Sequence, residues 1–206
     1  MQNIVEQMKK IIERVKQIVL KPRETWETIN QEQTTIPVLF KAYLLILAAV
    51  PALASFLGRW IVGIRIPFAG VYRFGFGASL VNSVVDYVLI VVSVWITGRI
   101  ISLLASNFGS TRDDVKGFQV ALYSYSPMLV AGVLNLIPSL SVLIFFAGLY
   151  GLYILYIGLP IVMGIPKQKS LPYTFVIIIA VILISLVRSW ITGAILGAYG
   201  PSLPEI

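Results

Sequence analysis

Residues 76–105 read FGASLVNSVVDYVLIVVSVWITGRIISLLA, and Asp86 and Arg99 are their only charged side chains. At about 1.5 Å per residue, an α-helix of that length covers roughly 45 Å, more than the ~30 Å of bilayer hydrocarbon. Such a helix tilts or projects from the bilayer. Its polar residues fall on one side: Ser79, Asn82, Ser83, Asp86, Ser93 and Thr97 recur at i, i+3, i+4, i+7, i+14 and i+18. A polar side on a spanning helix turns away from lipid.

Four further apolar runs of spanning length flank this one, at 37–58, 118–137, 140–163 and 172–198. Of the 206 residues, 58% are hydrophobic and 12% charged, where soluble domains carry about 45–50% and about 25%. With a mean hydropathy of +0.89, the chain lacks the polar surface a water-soluble fold needs. The expected fold is an all-α integral membrane protein, a bundle of five transmembrane helices preceded by an amphipathic interfacial helix. It divides into an N-terminal segment (1–35), a transmembrane domain (36–199) and a short C-terminal tail (200–206). Pro138-Ser139 joins the third and fourth runs as a tight antiparallel hairpin. Thr111-Arg112-Asp113-Asp114 reads as a capping box opening the third helix, and Ser170 as the cap of the fifth. The Gly- and aromatic-rich loop 59–75 lies partly in the interface.

Residues 3–20 carry an apolar stripe, with Ile4, Val5, Met8, Ile11, Ile12, Val15, Ile18 and Val19 on one side of a helix. A helix of this kind lies in the headgroup layer and turns Lys9, Lys10, Arg14 and Lys16 toward anionic lipid. The same spacing is close to a heptad, so a coiled-coil or docking helix is the alternative. Pro22 ends the helix, and Trp26 in the next short helix suits the membrane interface. With a cytoplasmic N-terminus, twelve of the sixteen Lys and Arg residues fall on the cytoplasmic side. Arg59, Arg65 and Arg73 are then outside, and Arg188 is within a span. That bias gives an N-in, C-out orientation. The net charge of +7 follows from these flanking cations, so nucleic acid is not an expected partner.

Chemistry is hard to find. The chain has no Cys and no His, which removes Ser–His and Cys–His nucleophile systems and the commonest metal ligand. An intramembrane aspartyl protease needs two carboxylates in the membrane, and only Asp86 qualifies. No phosphate-binding glycine pattern occurs in a strand-turn-helix context. Neither catalysis, a cofactor nor a metal is expected.

The fifth run has a polar face that answers the one on the second: Ser185, Arg188, Ser189 and Thr192 at i, i+3, i+4 and i+7. Asp86 lies about 15 Å from the start of its helix and Arg188 about 15 Å from the end of its own, so both sit at one depth. They are expected within ion-pair or one-water distance. Tyr123, Tyr125 and Ser126 precede Pro127, where hydroxyls can satisfy the backbone carbonyl that proline frees, and Tyr150, Tyr153 and Tyr156 add phenols to the fourth run. The candidate intramembrane polar core is Asn82, Ser83, Asp86, Tyr123, Tyr125, Ser126, Tyr150, Tyr153 and Arg188. It serves helix packing, a substrate or ion pathway, or an interaction switch.

Ala121-Leu122-Tyr123-Ser124-Tyr125-Ser126-Pro127, the turn Leu136-Ile137-Pro138, Gly148-Leu149-Tyr150-Gly151-Leu152-Tyr153 and Gly158-Leu159-Pro160 come in an order that resembles prokaryotic members of the Yip-domain (Ypt-interacting protein) family. Pro22…Trp26, Ala48-Ala49-Val50-Pro51-Ala52 and Pro166-Lys167…Leu171-Pro172-Tyr173 fit the same pattern, so the resemblance covers most of residues 20–190. It implies five spans, a cytoplasmic N-terminus and a place in a prokaryotic plasma membrane. Eukaryotic members act in vesicle traffic and associate with Rab GTPases and with one another. Their Asp-Leu-Tyr-Gly-Pro motif is absent here and the N-terminal tail is short, which speaks against Rab-type GTPase binding. Two functional classes follow. One is a non-catalytic protein that organises membrane or partner proteins, with anionic lipid, a second copy or another membrane protein as partner. The other is a small, oligomeric transporter or channel built on the pocket around Asp86 and Arg188.

Overall fold

Five helices are long and apolar enough to cross a bilayer: Ile36–Val62, Phe76–Phe108, Asp114–Leu136, Pro138–Met163 and Lys167–Ile195. They are the first to fifth spans below. They come from a computed structural model that describes residues 2–66 and 70–199. Two amphipathic helices precede them, α1 (Gln2–Leu20) and α2 (Pro22–Gln31).

Local chemistry sets the boundaries. Asp113 caps the third span, its carboxylate accepting from the Val115 and Lys116 N–H groups at 3.0 and 2.9 Å. Thr111 is therefore not the cap. The capping residue must sit one position before the first helical residue, and that residue is Asp114. Ser170 is likewise not a cap. The fifth helix starts at Lys167, directly after Pro166, and Ser170 lies inside its first turns.

The first span runs beyond Gly58. A π turn at Gly58–Val62, closed by Gly63 N–H donating to Gly58 O at 2.8 Å, carries it one turn further. Gly63 then reverses the chain at φ +83°, a backbone conformation that side chains other than glycine rarely adopt. Ile64–Ile66 and Gly70–Tyr72 follow as a two-stranded antiparallel hairpin with Ile64 opposite Tyr72. Phe74 N–H donates back to Arg59 O at 3.2 Å.

The third span is the centre of the bundle. It is 72% buried by protein, against 22% for the fifth span at the periphery. It approaches the second span where two glycines meet. A Cβ on Gly117 would stand 2.6 Å from Gly98 O, and one on Gly98 would stand 2.9 Å from Phe118 Cα. Small residues allow backbones this close, and van der Waals packing then holds the helices together in lipid.

The N-terminal helices pack on spans one, three and four rather than lying free in the headgroup layer. Ile11 and Ile18 are buried, while Val5, Met8 and Ile12 are exposed, so the apolar stripe of α1 is split between protein and surroundings. Two of the expected surface residues are instead internal. Trp26 is fully buried and donates its indole N–H to Ile154 O at 3.0 Å. Arg14 ion-pairs with Glu32 and lies 5.8 Å from the Tyr123 ring centre. A hydrophobic period shows which side of a helix is apolar, but not whether lipid or protein covers it. Lys9, Lys10 and Lys16 are exposed, as a surface role requires.

Candidate functional site

Arg59, within the π turn Gly58–Val62 at the end of the first span, reaches into the bundle. Its Nη2 donates to Asp86 Oδ2 at 3.0 Å, and the two side chains are only 14% and 18% exposed. Thr192 Oγ1, from the fifth span, donates to Asp86 Oδ1 at 2.9 Å. Both carboxylate oxygens are thus engaged, by a cation from the first span and a hydroxyl from the fifth. Close packing shapes the wall beside them: a Cβ on Gly58 would stand 2.0 Å from Asn135 O. π turns recur at functional sites because they redirect one side chain without ending the helix.

These residues line a cavity of about 310 Å³ together with Asn135, Arg188, Ser189 and apolar side chains including Ile90 and Met128. Asp86 and Arg188 therefore do share one polar space. Of the two distances expected for them, ion-pair or one-water, the direct ion pair is not formed: Asp86 pairs with Arg59 and accepts from Thr192. Arg59 lies one residue past the apolar run 37–58, in the turn by which the structure extends the first span to Val62. Arg188 has no ion-pair partner among the described residues. The cavity holds two cations and one anion.

The other expected core residues separate into three groups. On the second span, Asn82 donates to Ala78 O at 2.8 Å, and Ser79, Asn82 and Ser83 are buried against protein. In the middle of the bundle Tyr43 Oη and Ser126 Oγ are 3.0 Å apart, Ser126 also donates to Leu122 O, and Thr97 Oγ1 and Tyr125 Oη are 3.2 Å apart. The hydroxyl of Ser126 thereby returns to the carbonyl one turn back, four residues before it. Near α1, Tyr150 donates to Val19 O at 2.6 Å, and Tyr123 lies edge-on to both Trp26 and Tyr43. Tyr153 is 51% exposed and belongs to no polar group.

Arg59 and Thr192 complete the Asp86 site, Tyr43 the middle group, and Glu32 pairs with Arg14. A signal for Arg59 was present: Ala48, Ala52, Ser55 and Arg59 recur at i, i+4, i+7 and i+11, a small and polar stripe on one side of the first span. Ala48, Ala52 and Ser55 are all buried.

The Yip1 domain matches residues 16–189. The chain belongs to the Yip1 domain family. It is 25% identical over 160 residues to the inner membrane protein YohC of Escherichia coli K12, covering 74% of this chain and 80% of the relative. YohC of Escherichia coli O6:H1 matches to the same extent. No solved structure matches. A multi-pass membrane protein accounts for the five apolar spans and for these relatives together. The Yip1 domain includes Trp26, Arg59, Asp86 and Arg188. Thr192 and the exposed Val5, Met8 and Ile12 of α1 lie outside the matched residues.

Proposed function

We propose that this Yip1-domain protein is a non-catalytic organiser of the membrane or of partner proteins, with a cytoplasmic N-terminus and an external C-terminus. The observation that carries this reading is the division of α1. Ile11 and Ile18 anchor it to the bundle, while Val5, Met8 and Ile12 stay exposed on the edge that also carries Lys9 and Lys16. An apolar edge flanked by lysines suits an anionic lipid surface, where apolar burial and charge attraction act together. The bundle fixes the depth and angle at which that edge meets the surface.

Because the chain has no native Cys, the full-length protein with Ile12→Cys can carry a single environment-sensitive fluorophore. In proteoliposomes with anionic lipid its emission should shift to the blue, and shift less in zwitterionic lipid or high salt. Emission typical of water in every lipid would overturn the surface reading. The cavity around Asp86 favours a second reading, a small transporter or channel. Solute flux into proteoliposomes that Asp86→Asn changes would support it.

A further inference from the structure

We propose that the cavity between Arg59 and Arg188 binds a singly charged oxyanion, either the phosphodiester of a lipid headgroup or a free phosphate or carboxylate. This inference stands apart from the surface role of α1 and requires no transport.

The charges are unbalanced. Arg59 and Asp86 neutralise each other at 3.0 Å. Arg188 lines the same space without an anionic partner among the described residues. One positive charge is left over in a low-dielectric setting, where an unpaired guanidinium is unfavourable and an anion is attracted strongly. Asp86 cannot supply the balance, since it carries one negative charge and Arg59 already pairs with it.

The donors are unbalanced in the same direction. Arg59 Nη1 is buried and has no hydrogen-bond partner among the described residues. A guanidinium offers five N–H donors and no acceptor, so both arginines of the cavity wall call for acceptors. Planar guanidinium groups match the paired oxygens of carboxylates and phosphates. Ser189 on the cavity wall adds a hydroxyl donor. The volume of about 310 Å³ is at the lower end of small-ligand sites and admits one oxyanion with part of an apolar chain. The anion would sit on the Arg188 and Ser189 side, away from the Asp86 carboxylate.

The test uses the purified full-length protein, delipidated in a neutral maltoside detergent. Thermal unfolding is followed with dihexanoyl phosphatidylglycerol, dihexanoyl phosphatidylcholine, inorganic phosphate or acetate. An anionic additive should raise Tm and phosphatidylcholine should not. A response to phosphatidylglycerol alone assigns the site to a headgroup, and a response to phosphate or acetate assigns it to a free oxyanion. Arg188→Gln breaks no ion pair, so it should fold with an unchanged or higher Tm without additive. Its apparent affinity for the anion should fall at least tenfold, whereas Lys167→Gln, at an exposed cation away from both the cavity and α1, should leave the affinity as it is. Equal responses in the parent and Arg188→Gln, or none in either, would overturn the proposal.

Discussion

Gly158 exists for Trp26: a Cβ on Gly158 would stand 2.4 Å from Trp26 Cε2. The fourth span thereby opens a seat for the indole, and Ile154 O, one turn earlier, accepts its N–H. Gly158→Ala should expel or shift the ring, with a destabilisation of about 1–3 kcal/mol, as overpacking does elsewhere. Thermal unfolding in detergent measures it. Trp26→Phe fits the seat but leaves Ile154 O without that donor, and should show a smaller loss. A Gly158→Ala protein of unchanged stability would mean that α2 does not dock there.

Removing Asp86 should leave Arg59 buried and uncompensated, a loss of about 3–5 kcal/mol in soluble interiors. Arg59→Met should also destabilise, and the double replacement should recover much of the loss. The four proteins give the coupling directly. The same cycle with Arg188 in place of Arg59 should show little coupling, because Arg188 does not touch the carboxylate. Strong coupling to Arg188 instead would reverse the assignment.

Asp113 and Thr111 make a sharp comparison. Asp113→Ala removes an acceptor from the Val115 and Lys116 N–H groups and should cost about 1 kcal/mol. Thr111→Ala removes no cap and should change stability within about 0.5 kcal/mol. Chemical denaturation in detergent separates the two values.

Orientation follows the charge bias. A reporter fused after Ile206 should be non-cytoplasmic, and one inserted at Lys167–Lys169 should be cytoplasmic. The opposite pattern in the intact protein would invert the membrane placement of α1.

The five spans were legible because length and apolar content report directly on the solvent. The polar side of the second span was legible too, since its period marks a face and lipid rejects that face. Partners were not. Arg14 and Glu32 are eighteen positions apart, and nothing in their spacing announces contact. Trp26 is equally suited to a headgroup layer or to a protein seat, and only the notch at Gly158 decides. Tyr43 lies in an apolar run whose composition reports lipid, yet its hydroxyl meets Ser126. Asp86, a carboxylate within a span, needs a cation, and that much is legible from its place in the run. Of the two arginines, Arg59 continues the small and polar stripe of the first span, but the apolar run ends one residue before it, at Gly58.

The third span is the least hydrophobic of the five, at 1.2 against 2.1–2.5 for the others, and also the most enclosed. Its neighbours serve as its solvent. During synthesis those neighbours arrive in sequence, and the fourth span emerges last among the three that surround it most closely. The third span is thus poorly suited to leave the insertion machinery alone. The short joint around Pro138 lets the third and fourth spans enter as one antiparallel unit. A released chain ending at Ile137 should fail to integrate this segment, and one ending past Met163 should integrate both. The centre of the folded bundle is therefore the segment whose entry into the bilayer depends most on what is translated after it.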